Sequence, residues 1–482
     1  MGGILEQTSK GVIWSSVERF STQFVQLFVG LILARLLLPS DFGVIGIVSI
    51  FISLSQTFVD SGFSNALIRT KNQTNKDYCT AFYFNIVVGL GCYFVLFILA
   101  PWISLFFRLP ILCDILRVVS INVFFNSLIV VQVVKLTVAI DFKTQAKSSV
   151  FSSLISGLIG IVLAYCGKGI WALAFQSVSA TFIKVVLLWF YTRWVPQIVF
   201  SKEAFHRLFS YGSKILAAGL LNEIYNHLNT IAIGRFYSAK DLGFYTRGQQ
   251  FASLLSQNIT SVIQRVTFPI LANIQEETER LIYIYRQYIR ITSMGMFFLL
   301  SLLAALGRPI VLFLLTEKWS GAIIYLQLFS FSLMFDHICS INLNLLQVKG
   351  RSDLILRLEI VKKSIGFLLL VVSIPLGVLA ICISKLLYTQ IAIFINTYYT
   401  GKLFCVGYLQ QWKDFSIYLF FSVISVLPTF FLSSKGFNHL LTIVLGTLIS
   451  LTIYVMLLLL SKDLIFKFYI VEYFKKKYRI NS

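Results

Sequence analysis

Charged side chains recur inside long apolar segments of the sequence, and their chemistry points to an anion-binding cavity. A charge that faces lipid at the bilayer centre costs roughly 2.5 to 3.5 kcal/mol, so such residues face a protein interior or a water-filled cavity. Basic groups outnumber acidic ones among them: Arg19, Arg117, Lys135, Lys184, Arg247, Arg265 and Lys385 against Glu18, Asp60, Glu223 and Asp336. A cavity with this balance attracts anions more readily than cations. Arginine and lysine suit a diphosphate, while amide and hydroxyl groups suit sugar hydroxyls.

Polar residues also line up along single helical faces. Arg19, Gln23 and Gln26 recur at intervals of four and three residues in the first apolar segment. A longer stripe has a period near 3.6 residues and contains Arg247, Gln250, Gln257 and Arg265. Arg117 and Lys135 are 18 residues apart, which predicts the two ends of one helix face about 27 Å long. Whole stripes that contain charges favour a lumen, whereas an isolated Ser or Asn is more typical of hydrogen bonding between helices.

These patterns predict two sets of functional residues. The predicted substrate-binding residues are Arg19, Gln23, Gln26, Arg117, Lys135, Lys184, Arg247, Gln250, Gln257 and Arg265. The candidates for binding a coupling proton or sodium ion are Asp60, Glu18, Glu223 and Asp336, with Asp60 the leading one. The competing interpretation is that each carboxylate neutralises a nearby base. The sequence carries no phosphate-binding glycine-rich loop, HExxH motif or paired-cysteine metal site, so we expect no catalytic residue, metal or cofactor.

Membrane-spanning helices must position these residues. Hydrophobic residues make up 57% of the 482 residues and charged residues 13%, and the mean hydropathy is +0.82. Apolar runs of about 20 residues match the length of a helix that crosses roughly 30 Å of hydrocarbon. The sequence predicts an all-α integral membrane protein of about 14 transmembrane helices, at 12–34, 42–66, 79–106, 112–138, 148–166, 170–191, 211–235, 242–270, 287–306, 322–347, 357–376, 378–400, 414–433 and 439–461.

Lysine and arginine concentrate in alternate loops, which predicts the orientation. The positive-inside rule then places both termini in the cytoplasm. Basic loops that face anionic lipid headgroups also explain the formal charge of +21 without nucleic-acid binding. The N-terminus has a first apolar segment interrupted by Glu18 and Arg19 and no small-residue cleavage site, so we expect no cleaved signal peptide.

An internal repeat divides the chain. The pattern Arg-x5-Asp-x-Gly occurs at Arg35–Gly43 and again, 200 residues later, at Arg235–Gly243. The copies enter the membrane in the same direction, which predicts parallel repeats. We expect an N-terminal lobe at 1–200, a C-terminal lobe at 201–402, and two further spans with a basic cytoplasmic tail at 403–482. Asp41 and Asp241 are expected to cap the following helices, and the motif glycines to permit a tight turn.

The segment SDFGVIGIVSIFISLSQTFVDSGFSNALIR at 40–69 resembles Wzx-type polysaccharide repeat-unit flippases, especially the WzxC-like branch of the MOP exporter superfamily. The similarity continues at 84–107, 141–149, 169–177, 209–252 and 258–271. The resemblance implies a V-shaped, MATE/MOP-like pair of six-helix lobes that works by alternating access.

The resemblance also implies the cargo and its setting. The expected cargo is an undecaprenyl-diphosphate-linked oligosaccharide that moves from the cytoplasmic to the periplasmic leaflet of a bacterial inner membrane during synthesis of lipopolysaccharide, O-antigen, capsule or exopolysaccharide. A proton or sodium gradient is the candidate drive, and polysaccharide polymerases and assembly proteins are candidate partners.

Two alternative functions fit the same sequence features. A MATE-like exporter of cationic drugs fits the same architecture but predicts an acidic lumen. A membrane glycan polymerase or acyltransferase commonly carries a sizeable outward loop, and the outward loops predicted here are short.

Overall fold

The computed structural model describes residues 2–60, 62–70, 73–461 and 466, and at residues 2–13 and 265 it describes the backbone alone. Helices and turns account for all the regular structure in these ranges, so the predicted all-α fold is confirmed. The basic tail predicted after residue 461 lies outside the described residues apart from Phe466, as do Lys71 and the side chain of Lys10.

The chain forms two compact units, Met1–Gly243 and Phe244–Ser482. The first unit thus extends past residue 200, where the sequence divides the lobes, and includes the first helix after it. Its helices are α1 Gly2–Leu36, α2 Pro39–Asp60, α3 Phe63–Arg69, α4 Asn75–Phe107, α5 Ile111–Val119, α6 Ile121–Ser127, α7 Val130–Val138, α8 Phe142–Tyr165, α9 Ile170–Thr192 and α10 Lys202–Phe236.

The second unit contains most of α11 and the remaining helices. Short 3₁₀ turns at Glu317–Trp319 and Ile374–Leu376 separate some of them. Its helices are α11 Ala239–Asn273, α12 Thr278–Ala305, α13 Gly307–Leu315, α14 Ala322–Leu333, α15 Asp336–Val348, α16 Ser352–Ser373, α17 Val378–Phe404, α18 Tyr408–Ser434 and α19 His439–Leu460.

Eleven stretches of the described residues are helical, long and apolar enough to cross a membrane. They match eleven of the predicted spans, and the three others correspond to α10, α11 and α16. The count of fourteen therefore stays a prediction. The span predicted at 112–138 is not one continuous helix: turns at Ser120 and at Leu128–Ile129 divide it into α5, α6 and α7.

The two copies of the repeat motif start helices α2 and α11 in the same way. Asp41 Oδ2 accepts a 3.0 Å hydrogen bond from the backbone of Leu38, the residue before α2. Asp241 accepts from the Ser238 hydroxyl at 2.6 Å, while its own backbone N–H donates to Ser238 Oγ at 3.1 Å. Each aspartate also accepts a hydrogen bond from the backbone N–H of the residue before its helix, at 3.0 Å from Leu38 and 3.4 Å from Ser238, so the predicted capping role is confirmed.

The motif glycines serve close packing, and the expectation of a tight turn is wrong. Gly43 and Gly243 lie inside α2 and α11, and neither has a positive φ. A methyl group added to Gly43 would overlap the carbonyl oxygen of Ala239, and one added to Gly243 would overlap that of Pro39. Gly43 and Gly243 are 200 residues apart, as are Pro39 and Ala239, so the two copies of the motif pack against each other through equivalent backbone atoms. A side chain at either glycine would separate the two copies.

Candidate functional site

Glu18 of α1 is paired with polar groups from two other helices of the first unit. Ser149 of α8 donates a 2.7 Å hydrogen bond to Glu18 Oε1. The Glu18 carboxylate also interacts electrostatically with Lys184 of α9. Opposite charges that meet away from water offset part of each other's desolvation cost. A predicted coupling residue and a predicted substrate residue therefore lie near enough for their charges to interact.

Asp336 of α15 and Lys385 of α17 form a similar pair in the second unit. The Asp336 carboxylate interacts electrostatically with Lys385, and the nearby Ser256 hydroxyl of α11 donates a 3.3 Å hydrogen bond to the backbone carbonyl of Leu333. Lys385 lies 201 residues after Lys184, nearly the spacing of the repeated motif. Each predicted lobe therefore carries a lysine at an equivalent place in its last span, and each lysine faces a carboxylate from another helix.

A third ionisable cluster lies between α2 and α10. The Oγ of Ser53 and the Nε2 of His227 are 2.8 Å apart, within hydrogen-bond distance. Glu223 Oε2 lies 3.4 Å from the same Nε2, and one turn beyond Ser53 the Gln56 amide donates to Asp60 Oδ1 at 3.2 Å. Two predicted coupling residues, Asp60 and Glu223, are thus on neighbouring helices with a histidine that can carry a proton.

Arg247 is almost buried within the second unit, with 8% of its surface exposed. Its Nη1 donates a 2.6 Å hydrogen bond to Gln250 Oε1. Its guanidinium carbon lies 5.7 Å from the centre of the Trp319 ring, a cation–π distance. A neutral amide and an aromatic ring therefore contribute to holding the guanidinium in place.

Arg117 and Lys135 occupy two different aromatic environments of the first unit. The Arg117 guanidinium lies 4.7 Å from the centre of the Phe97 ring. Lys135 Nζ lies 5.1 Å from the Tyr78 ring and 5.0 Å from the Trp194 ring. Because turns interrupt the chain between α5 and α7, the inference that the two residues share one straight helix face is wrong.

The other predicted substrate residues lie on α1 and α11. Arg19 and Gln23 are half-buried, and Gln26, Gln250 and Gln257 are exposed. The side chain of Arg265 lies outside the described residues. Within each unit, other protein groups thus contact Arg117, Lys135 and Arg247 and interact electrostatically with Lys184. The three exposed glutamines are accessible to a ligand.

Some contacts between charged groups can be predicted from local spacing and others cannot. The i,i+4 spacing of Glu223 and His227 places both on one helix face and so indicates their contact. Arg286 and Arg290 lie inside α12 and pair with Asp414 of α18. Their own i,i+4 spacing predicts a shared face, whereas nothing in the local sequence identifies a partner 124 residues away.

Residues 32–324 match the polysaccharide biosynthesis protein family. The chain belongs to this family. The lipopolysaccharide biosynthesis protein WzxC of Escherichia coli (strain K12) is 22% identical over 366 residues, which cover 74% of this chain and 73% of the relative. The predicted relationship to Wzx-type proteins is confirmed.

Solved structures show the same fold at low sequence identity. A lipid II flippase, MurJ, in an inward closed conformation has a TM-score of 0.77 and 13% identity, and the alignment covers 94% of this chain and all of that one. An inward-facing multidrug MATE transporter of the MOP superfamily has a TM-score of 0.59 and 16% identity, with 85% and 98% covered. The predicted MATE/MOP-like fold is therefore confirmed, and this family member is a multi-pass membrane protein.

Proposed function

We propose that this chain is a flippase that moves undecaprenyl-diphosphate-linked oligosaccharide repeat units from the cytoplasmic to the periplasmic leaflet of a bacterial inner membrane. The observation that carries the proposal is the polysaccharide biosynthesis family match over residues 32–324. A relative named for lipopolysaccharide biosynthesis and a neighbour named as a lipid II flippase support it. Both solved neighbours are named as transport proteins, which supports a transport role for this chain.

The basic groups supply the means to bind a diphosphate. In the second unit, Gln250 and Trp319 contact the guanidinium of Arg247. In the first unit, Arg19 also carries a guanidinium, and guanidinium N–H groups match phosphate oxygens in geometry. Exposed glutamines such as Gln257 provide amide groups for sugar hydroxyls. Selectivity for an anionic headgroup follows from the excess of basic over acidic residues in the apolar segments.

The lysine–carboxylate pairs supply a route for coupling to protons. A phosphate that approaches Lys184 or Lys385 competes with the carboxylate that already faces that lysine. Protonation of Glu18 or Asp336 removes the competing negative charge, so proton binding favours anion binding at the same lysine. The contact between Glu223 and His227 on α10 is a second place where a proton can bind, and Asp60 on the neighbouring helix α2 is a third.

Genetic complementation tests the proposal. Deletion of the gene should leave lipid-linked repeat units on the cytoplasmic leaflet, and the wild-type gene should restore surface polysaccharide. Arg19→Ala, Arg247→Ala and the double variant should each lower export, whereas Arg280→Ala, an exposed arginine paired with Glu277, should not. Unchanged surface polysaccharide after deletion contradicts the function, while normal export by all three arginine variants contradicts the binding site alone.

A multidrug exporter is the second candidate, because the MATE transporter shares the fold. That function calls for acidic groups that bind cationic drugs, whereas basic residues predominate in the apolar segments of this chain. Increased drug sensitivity after deletion, with polysaccharide unaffected, would favour the exporter.

A further inference from the structure

Two arginines of α12 converge on one carboxylate of α18. Arg286 donates from Nε to Asp414 Oδ2 at 2.7 Å and from Nη2 to Oδ1 at 2.8 Å. Arg290 donates from Nε to Oδ1 at 2.9 Å and also from Nη2 to the same oxygen. Neither Nη1 has a hydrogen bond among the contacts of the described residues. Each guanidinium therefore keeps N–H donors for another acceptor.

The charges of this cluster do not balance. The Asp414 side chain is fully buried, whereas those of Arg286 and Arg290 are 30% and 35% exposed. A single carboxylate compensates one guanidinium, which leaves one positive charge at the surface. The exposed Lys413, next to Asp414 in the sequence, adds a further positive charge. On α12 itself, Glu277 pairs with Arg280, and Glu279 lies about 10 Å from Arg286 along the helix axis.

The surface next to the arginines changes from polar to apolar. Trp412 and Tyr283 are exposed on the two helices, as aromatic residues commonly are at the level of lipid headgroups. Between Asp414 and Phe431 the exposed side chains of α18 are apolar, beginning with Ile417, Phe420 and Val423. The two guanidiniums thus lie where a lipid would place its headgroup if its acyl chains ran along α18.

We propose that Arg286 and Arg290 bind the phosphate of an anionic membrane lipid. The phosphate oxygens accept from the guanidinium nitrogens that Asp414 does not use, and charge-assisted hydrogen bonds of this kind are the strong ones. The surplus positive charge is then neutralised, and the acyl chains cover Ile417 and Phe420. A soluble phosphate would satisfy the same donors but would leave these apolar side chains uncovered. The proposal is independent of the cargo, because the residues assigned to cargo lie elsewhere.

Arg290→Gln tests the site without dismantling it. This variant keeps the two hydrogen bonds from Arg286 to Asp414 and removes the surplus charge. Purified full-length protein would be compared in nanodiscs of phosphatidylcholine with and without phosphatidylglycerol, with lipid retention measured by native mass spectrometry and thermal unfolding measured in parallel. The matched control is Arg280→Gln on the same helix, 61% exposed and paired with Glu277.

Wild type and the control should retain phosphatidylglycerol and unfold at a higher temperature with it. Arg290→Gln should bind it about tenfold more weakly and lose that increase, with unchanged unfolding in phosphatidylcholine alone. Equal destabilisation in both membranes would overturn the proposal, since the arginines would then serve only to join α12 to α18. Equal stabilisation by inorganic phosphate without anionic lipid would overturn it in favour of a soluble anion.

Discussion

Gly43 and Gly243 show how a single atom can control the contact between the repeated motifs. Replacing either by alanine places a methyl group on a backbone carbonyl, which cannot rotate away as a side chain would. Overpacking of this kind costs about 1 to 3 kcal/mol. We expect Gly43→Ala and Gly243→Ala each to lower the thermal unfolding midpoint in detergent and to reduce export of surface polysaccharide.

Gly295→Ala provides the matched control for the glycine prediction. Gly295 lies inside α12, and outside the local backbone of that helix no atom of the described residues would come within 4 Å of an added methyl group. Alanine is favoured over glycine in a helix by up to about 1 kcal/mol, so this variant should be as stable as wild type or slightly more so. If Gly43→Ala and Gly243→Ala behave like Gly295→Ala, the backbone contact is not formed in the protein.

At the level of elements, the first turn of α4 depends on Asp77. Its carboxylate accepts 2.9 Å hydrogen bonds from the backbone N–H and the hydroxyl of Thr74, and it pairs with Arg207 of α10. The Asp77 side chain is 4% exposed and that of Arg207 is 51% exposed. Arg207 can therefore be solvated after the pair is broken, and the main loss on removing Asp77 is the helix cap.

Asp77→Ala should destabilise the protein by about 1 to 3 kcal/mol, from a lost cap and a screened ion pair. Thermal unfolding in detergent would measure the loss. Asp114→Ala is the comparison, because Asp114 is also acidic and in the first turn of a helix, α5, but it is exposed. That change should stay within about 0.5 kcal/mol. Similar losses for the two variants would refute the importance of the Asp77 contacts.

The elements were more predictable from the sequence than the contacts between them. Hydrophobic length located the spans, because every helix that crosses lipid must be long and apolar. The turns between α5, α6 and α7 carry no proline or glycine and were missed. The position of Glu18 and Lys184 inside apolar segments identified them as charges that avoid lipid, but that they interact depends on how α1 and α9 pack. Such packing is a tertiary property that local spacing does not encode.

The number of membrane crossings in the whole molecule depends on three helices, α10, α11 and α16. α10 and α11 have 35 residues each, so each is about 50 Å long and exceeds the roughly 30 Å of hydrocarbon. Their low hydropathy comes from polar residues such as Glu223 and Arg247, which contact other protein groups. A polar helix can cross a membrane when its polar face is covered by protein or lines a cavity, so we expect all three to cross.

Two native cysteines can decide the number of crossings. Cys166 follows α8 and Cys405 follows α17, and both are exposed. Four of the eleven apolar spans lie between them, which would place both on the same side of the membrane. If α10, α11 and α16 also cross the membrane, seven spans lie between the two cysteines, which are then on opposite sides of the membrane.

The positive-inside rule then puts Cys166 in the periplasm and Cys405 in the cytoplasm, because Lys402 and Lys413 flank Cys405. Variants that retain only one of these cysteines would be treated in intact cells with a membrane-impermeant maleimide. Cys166 should react at once, and Cys405 only after the membrane is permeabilised; a variant without cysteines sets the background. Labelling of both from outside, or of neither, would mean an even number of crossings between them and would exclude the fourteen-span topology on which the proposed direction of transport depends.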